Sequence, residues 1–240
     1  MNILITGGAS GLGQKITEKF AENPQNKVYF TYSRSTESAL KLNSLYPNTS
    51  GIKCDFNSKE EVQNLVELLP QFDIDVLVNN AYTGNPVTTH YHKIPHQEFS
   101  EGYNVNVLSV IAITQAAINL FRKKKSGKII TILTSYLANT PPTGVSVYVA
   151  LKAYLKGLTK IWATENVKFN ITSNSVSPSF MLTGLTKDVD ERLVEQTINN
   201  HPLKKIVSTS EVAETVHFLA QASSQINGVD ILMTGGAIIN

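Results

Sequence analysis

Two residues, Tyr148 and Lys152, have the spacing with the most direct chemical consequence in this chain of 240 residues. They stand four residues apart in a predicted helix, which puts a phenol and an ammonium on one helix face. A neighbouring positive charge favours the phenolate, so we expect Lys152 to lower the pKa of Tyr148. Tyr148 is therefore a candidate general acid that protonates an alkoxide while a hydride reaches a carbonyl carbon.

Other polar side chains stand where a substrate or a cofactor could meet them. Ser135 follows a predicted strand over 127–133, and a hydroxyl at the carboxyl end of a strand faces the ligand crevice of an α/β sheet. Asn79 closes another predicted strand. Asn106 interrupts an apolar predicted helix, where asparagine is unfavourable, so it should have a specific partner.

A glycine-rich run lies between the first predicted strand, 2–6, and the first predicted helix, 11–22. Glycine allows a sharp turn and a close approach of the backbone to a ligand, and the N–H groups that open a helix favour phosphate. A strand, a glycine run and a helix in this order indicate a dinucleotide site. The run is Thr6, Gly7, Gly8, Ala9, Ser10, Gly11, Leu12, Gly13.

The end of the second predicted strand bears on the choice of cofactor. An acidic residue there would hold a ribose 2′-hydroxyl, but none occurs between Glu22 and Glu37. Arg34 stands there instead and can pair with a 2′-phosphate. The sequence favours NADP(H), with NAD(H) as the alternative if Arg34 is only a solvated turn residue.

Short apolar runs alternate with amphipathic stretches along the whole chain. Runs that are apolar on both faces are typical of parallel strands covered by helices on each side. The sequence therefore predicts an α/β fold, a single-domain doubly wound (Rossmann-type) parallel sheet of about seven strands with helices on both faces. It covers 1–240, with a substrate-pocket or lid segment at about 178–203. The predicted strands are 2–6, 27–32, 50–54, 74–79, 127–133, 169–176 and 229–233, and the predicted helices are 11–22, 35–45, 58–69, 97–124, 145–164 and 209–221.

Composition excludes several classes of partner. A formal net charge of +2 is too small to indicate nucleic acid or an anionic membrane, and we interpret the basic run 122–125 as a solvated helix end. No segment reaches the apolar length that a membrane span needs. A strand that begins at residue 2 leaves no room for a signal peptide, and the single Cys54 fits a reducing cytoplasm, so we expect a cytoplasmic protein.

Three histidines, His90, His92 and His96, raise the question of a metal. Nothing nearby in sequence completes a ligand set, and reduction of a carbonyl by hydride needs none. We expect a polar loop near the cleft and no metal site.

Taken together, the motifs resemble those of the classical short-chain dehydrogenase/reductase family over essentially the whole chain, in the family's order and spacing. The resemblance implies that Tyr148 is the acid/base and that Ser135 orients the carbonyl. It also implies that Lys152 holds the nicotinamide ribose and that Asn106 supports a water in a proton relay. The remaining implied cofactor contacts come from the glycine run and from Asp55 at the adenine, Asn79 and Ala81 in the cleft, and Pro178 and Thr183 by the carboxamide and phosphates.

Within the family, residues 177–213 look most like the β-ketoacyl-acyl-carrier-protein reductases. That likeness implies reduction of a ketone to a secondary alcohol, on a small molecule or on a thioester linked to a carrier protein or CoA. A homotetramer or dimer is implied too, with the predicted helices 97–124 and 145–164 at one interface. Sugar and polyol reductases share the layout. A dinucleotide-binding sensor or partner subunit, and an epimerase or dehydratase with tightly held NAD, are further alternatives.

Three positions depart from the family pattern. Tyr82 and Ser179 stand where glycine is usual, and Ser10 stands where NADP(H)-preferring members often carry a basic residue. We expect the ring of Tyr82 to intrude on the mouth of the cofactor or substrate site. The sensor alternative is motivated by Tyr82 and Ser179, whereas Ser135, Tyr148 and Lys152 argue for catalysis.

Overall fold

A computed structural model describes residues 1–184, 186 and 189–239. Seven parallel strands form one sheet in the order β3-β2-β1-β4-β5-β6-β7, which confirms the predicted doubly wound fold. The order reverses between β1 and β4, so their carboxyl ends open a crevice at the middle of the sheet. The strands are β1 (Asn2–Ile5), β2 (Lys27–Tyr32), β3 (Thr49–Lys53), β4 (Val76–Asn79), β5 (Gly127–Ile132), β6 (Ile171–Pro178) and β7 (Asp230–Met233).

Helices cover both faces of the sheet. The side chains of Ile3 and Ile5 pack with α1, α2 and α8, whereas Leu4 between them packs with the helices of the other face. This alternation explains why β1 is apolar throughout. The helices are α1 (Gly11–Ala21), α2 (Thr36–Leu45), α3 (Lys59–Phe72), α4 (His96–Tyr103), α5 (Ser109–Lys124), α6 (Ser146–Asn166), α7 (Glu191–Asn200) and α8 (Thr209–Gln221).

One strand, β6, is fully buried although five of its residues carry polar side chains. The hydroxyls of Ser175 and Ser177 donate to a carboxylate oxygen of Asp230 on β7, at 2.9 and 2.7 Å. Lys156 of α6 forms an ion pair with the other oxygen of Asp230 at 2.9 Å. Asp230 thus satisfies two of the buried hydroxyls of this strand, which lowers the cost of placing it in the interior.

A single helical rod runs from α4 through a π-helical turn, Asn104–Leu108, into α5. The expectation that no segment is apolar enough to span a membrane needs correction. By length and composition alone, His96–Lys124 passes that test, with a mean hydropathy of 1.5. In the structure, Ile113, Ala117 and Phe121 of this rod are completely buried, so it packs as a core helix.

The basic run 122–125 closes α5, as predicted, where cations meet the negative end of a helix. Lys124 forms ion pairs with Asp73 and Asp75 at 3.0 and 2.6 Å. Arg122 donates to the side-chain oxygen of Asn166 at 2.8 Å. Two of the four charges are therefore engaged within the protein.

Candidate active site

The glycine run forms a tight loop at the carboxyl end of β1. Gly7 and Gly11 have φ angles of +66° and +52°, a conformation that side chains with a Cβ rarely adopt. A Cβ on Gly13 would lie only 2.0 Å from the carbonyl oxygen of Gly7. The backbone therefore crosses itself at a distance that only glycine permits.

Side chains from neighbouring strands hold this loop in place. The Thr6 hydroxyl accepts from the backbone N–H groups of Asn80 and Ala81, both at 3.0 Å. The side-chain amide of Asn80 donates to the carbonyls of Thr6 and Gly7. Asn79, which the resemblance places at the cofactor cleft, donates from its buried amide to Thr114 on α5 at 3.0 Å. The contact with the glycine loop is thus made by Asn80, and its position next to Asn79 was the available signal.

The first turn of α1 is suited to a phosphate. Ser10 caps the helix with its backbone, and its side chain makes no capping hydrogen bond, while Leu12 anchors the turn in the core. Ser10 and Gly11 are exposed, so the N–H groups of this turn face solvent. A cradle in which a Cβ on Gly13 would collide with the backbone fits a dinucleotide pyrophosphate.

Arg34 lies two residues beyond β2, exposed, at the same edge of the sheet. Asp55 lies beside it after β3, and its pKa is lowered, chiefly by hydrogen bonds from the backbone and side chain of Asn57, with a smaller effect of Arg34. The structure thus brings Arg34 and Asp55 together at one end of the crevice. Arg34 is exposed and Asp55 is half-buried, so both side chains carry their charge in contact with solvent.

The pKa of Tyr148 differs from the expectation. Burial raises it to about 12, a hydroxyl interaction with Thr134 lowers it, and the nearby Tyr136 phenol raises it. The prediction that Lys152 brings this pKa down is wrong for the protein as described, because desolvation outweighs a cation that lies 5.9 Å from the ring centroid. Tyr148 therefore keeps its proton at neutral pH.

Lys152 is almost completely buried on the same face of α6. Its ammonium donates to the carbonyl oxygen of Ile132 at 2.7 Å, at the carboxyl end of β5. Burial lowers the pKa of Lys152 to about 8. The spacing of the pair is as predicted, but the burial of both groups is what governs their protonation.

Two consecutive hydroxyls, Thr134 and Ser135, stand where β5 ends. Ser135 is buried and opens a short 3-10 turn, Ser135–Leu137, that packs on α6. Thr134 accepts from the N–H of Tyr136 and interacts with the phenol of Tyr148. Thr134 was not among the predicted site residues, although its place beside Ser135 at a strand end was a usable signal.

Asn106 lies in the π-helical turn and is buried. Its side chain accepts from the N–H of Thr83 at 2.7 Å and donates to the Thr83 carbonyl at 3.0 Å. A second donation reaches the carbonyl of Gly102 at 3.2 Å, which the wider turn frees. The predicted specific partner is therefore the loop that follows β4.

The segment 178–203 starts at the edge of the sheet and reaches over the glycine loop. Pro178 ends β6 beside Met233 of β7, and Ser179 donates its N–H to the Met233 carbonyl at 3.0 Å. Thr183 approaches Gly11, with its Cβ 3.5 Å from the position a Cβ would take there. The described part of this segment also holds α7, which has no buried side chain.

Comparison with known proteins agrees with this architecture. A family model described as enoyl-(acyl carrier protein) reductase matches residues 7–237. A 3-oxoacyl-[acyl-carrier-protein] reductase FabG of Thermotoga maritima is 31% identical over 98% of this chain and 97% of its own length. The FabG of Staphylococcus epidermidis is also 31% identical, over 97% of both chains. Among solved structures, ElxO with NADP bound is 28% identical, with a TM-score of 0.87 over 98% of this chain and 97% of its own.

Fold and crevice define an α/β oxidoreductase of the dinucleotide-binding class. With a family model that spans nearly all of it, the chain belongs to the short-chain dehydrogenase/reductase family, as the resemblance predicted.

Proposed function

We propose that the protein is an NADP(H)-dependent reductase that interconverts a ketone and a secondary alcohol. The observation that carries the proposal is that the half-buried Tyr148 and the buried Lys152 share one face of α6, next to the strand end that holds Ser135. The named relatives are 3-oxoacyl-[acyl-carrier-protein] reductases, which favours a 3-oxoacyl thioester on a carrier protein or CoA as substrate.

In this proposal, the chain's own groups position the carbonyl and supply the proton. The cofactor, when bound, supplies a hydride to the carbonyl carbon. The hydroxyls of Ser135 and Tyr148 bind the carbonyl oxygen and stabilise the negative charge that develops on it. Tyr148 then gives its proton to that oxygen, and a pKa of about 12 keeps the proton on the phenol until an alkoxide forms. The protonation state thus suits the reductive direction.

The remaining site residues are proposed to hold the cofactor and to renew the proton. The glycine loop with Ser10 and Leu12 binds the pyrophosphate, and Lys152 binds the nicotinamide ribose. Asn106 orders the loop after β4 and supports a water of the proton relay. The other proposed contacts are Arg34 at the 2′-phosphate, Asp55 at the adenine, Asn79 and Ala81 along the cleft, and Pro178 and Thr183 by the carboxamide.

A substrate panel tests the proposal. Oxidation of NADPH and of NADH is followed by absorbance with an acetoacetyl thioester, a sugar ketone, a simple ketone and a crotonyl thioester. Turnover of a ketone with NADPH supports the proposal. Turnover of the crotonyl thioester alone would indicate reduction of a carbon–carbon double bond, the activity in the family model's description, and would overturn it.

The sensor alternative rests on Tyr82, whose ring meets the catalytic phenol. It predicts tight NADPH binding without turnover of any compound in the panel. The buried Ser135 and Lys152, with Tyr148 beside them, favour the enzyme instead, because burying polar groups is costly and a binding protein has no use for them.

Replacing Arg34 separates the two cofactors. We expect Arg34→Ala to raise the KM for NADPH about tenfold and to leave the KM for NADH nearly unchanged, because only NADPH carries a phosphate for the guanidinium. Steady-state kinetics with both cofactors measure the effect, and Arg34→Lys should show a smaller loss. Equal losses for NADPH and NADH would contradict the assignment of the 2′-phosphate to this residue.

We expect the buried charge of Lys152 to lower the free energy of unfolding, although the residue serves the site. Its pKa falls from 10.5 in the unfolded chain to about 8 in the folded one. Below pH 8 the folded state must keep a buried charge, and that cost is relieved as the pH rises towards 10.5. We expect Lys152→Met to abolish turnover yet to stabilise the fold by about 2 kcal/mol at pH 7, after loss of the Ile132 hydrogen bond.

Urea unfolding at pH 7 and at pH 9.5 measures this effect, with the exposed Lys160→Met on the same helix as control. The gain should shrink at the higher pH, and the control should show none. A destabilised Lys152→Met at both pH values would contradict the stated cost.

We also propose a single cytoplasmic domain over 1–240, with 178–203 as the lid over the substrate, and assembly into a tetramer or dimer. The exposed α7 supports the lid, because a helix without buried side chains can move at little cost. Exposed apolar and aromatic side chains support an interface on the two long helices. They are Leu108, Tyr154 and Ile161, which are 39%, 46% and 51% exposed.

A further inference from the structure

We propose that Tyr82 is a positioning residue whose ring holds the Lys152 ammonium and the Tyr148 phenol in place for proton transfer. The inference rests on the proposed function of that pair and assigns a role to a side chain that the reaction itself does not require. Tyr82 is one of the positions at which the sequence departs from the pattern that the resemblance implies.

The three side chains form one cluster. Tyr82 follows β4 by three residues, and its ring meets the Tyr148 ring edge-on, with centroids 5.0 Å apart and planes at 82°. The Lys152 nitrogen lies 5.7 Å from the Tyr82 centroid and 5.9 Å from the Tyr148 centroid. The ammonium therefore has two aromatic rings within reach, in addition to its one hydrogen bond to Ile132.

The rings matter because the ammonium has no carboxylate partner within the described part of the chain. Asp230 on β7 pairs with Lys156, one turn further along α6. Cation–π attraction to a ring stabilises the charged form of a lysine, and more strongly when the site is dry. Burial pushes the other way, lowering the pKa of Lys152 to about 8. Tyr82 thus offsets part of the cost of keeping this charge inside the protein.

Other titratable groups lie on elements packed against α6, and none of them is a carboxylate partner of Lys152 in the described part of the chain. Tyr136 on the 3-10 turn raises the pKa of Tyr148. Tyr103 on α4 is engaged with the exposed Tyr154, their hydroxyls 3.3 Å apart. The Tyr82 phenol itself stays protonated, because burial raises its pKa. Its contribution is therefore made by the ring face and ring edge.

Two variants of similar bulk distinguish an effect of the aromatic ring from an effect of the volume that the side chain fills. Tyr82→Phe keeps the ring and loses the hydroxyl, whereas Tyr82→Leu also keeps water out and has no π-face. We expect Tyr82→Phe to keep kcat within about twofold and Tyr82→Leu to lower it about tenfold, with the KM for the ketone little changed. The basic limb of the pH profile of kcat should move about one pH unit lower in Tyr82→Leu, because Lys152 then loses its proton more readily.

Equal kcat values and pH profiles for the two variants would overturn the proposal and leave Tyr82 as a space-filling side chain. A second measurement works without turnover. The nitrogen chemical shift of the Lys152 side chain, assigned by comparison with a Lys152→Met counterpart, follows the ionisation of Lys152 alone.

In the Tyr82→Leu background this titration should lie at lower pH than in the Tyr82→Phe background, because Lys152 has then lost the ring that stabilises its charged form. Coincident titrations would overturn the proposal. If the native protein reduces no ketone, the proposed function fails, and the titration still decides the role of Tyr82.

Discussion

Tyr148→Phe is expected to lower kcat for ketone reduction about a thousandfold, in the range that general acid catalysis contributes. The substitution removes only the hydroxyl that gives its proton to the alkoxide. It leaves the ring in its place against Tyr82 and the Lys152 ammonium. NADPH binding, measured by fluorescence titration, should be largely unchanged, since the phosphates are held by the glycine loop.

The matched control is Tyr154→Phe, because Tyr154 lies on the same helix and is 46% exposed. Its hydroxyl meets Tyr103 rather than the site, so kcat should stay close to that of the native protein. Native turnover in Tyr148→Phe would refute the proposed acid. Loss of NADPH binding in that variant would show instead that the phenol serves cofactor binding.

Gly13→Ala is expected to destabilise the fold by about 3 kcal/mol or more and to abolish NADPH binding. The added Cβ would lie 2.0 Å from the Gly7 carbonyl oxygen and 2.6 Å from the side-chain nitrogen of Asn80. The first of these is backbone, so the loop itself must open. For a chain of this length, that loss corresponds to a fall in Tm of about 6–12 °C, which thermal unfolding measures.

Gly157→Ala is the control for this substitution. Gly157 lies in α6 with no atom within 4 Å of a Cβ, so alanine there should stabilise the helix by about 0.5–1 kcal/mol. If Gly13→Ala lowers the free energy of unfolding and Gly157→Ala raises it, the loss in Gly13→Ala comes from the close backbone crossing in the glycine loop. A Gly13→Ala protein with native Tm and native NADPH affinity would contradict the loop geometry.

Much of the fold follows from the sequence, because the spacing of the apolar residues and the local composition indicate the same helices and strands along most of the chain. β1 and β5 are apolar on both faces, and each predicted strand matches an observed one within about two residues. β6 is the exception in composition, since its serines and asparagine are buried. Asp230, the partner of Ser175 and Ser177, lies more than 50 residues away, and a local pattern cannot reveal a pairing at that distance.

The site was predictable in its residue types and less so in its contacts. The glycine loop and the pair Tyr148 and Lys152 follow from spacing alone. The choice between Asn79 and Asn80 depends on which way each side chain leaves the strand end, and adjacent residues point to opposite faces. The pKa of Tyr148 depends on depth of burial, which an interval of four residues does not encode.

The π-helical turn Asn104–Leu108 has a consequence for how this chain can vary in length. Such a turn holds one residue more than an α-helical turn, so the rod from His96 to Lys124 carries a single surplus residue. Deleting one residue there would let α4 and α5 join as an uninterrupted α-helix. The framework would survive, while the loop around Thr83 would lose the amide of Asn106 that ties it to the helix. Loss of one residue at this place would thus remove the tie between the helix and the loop after β4, on which the proposed role of Asn106 depends.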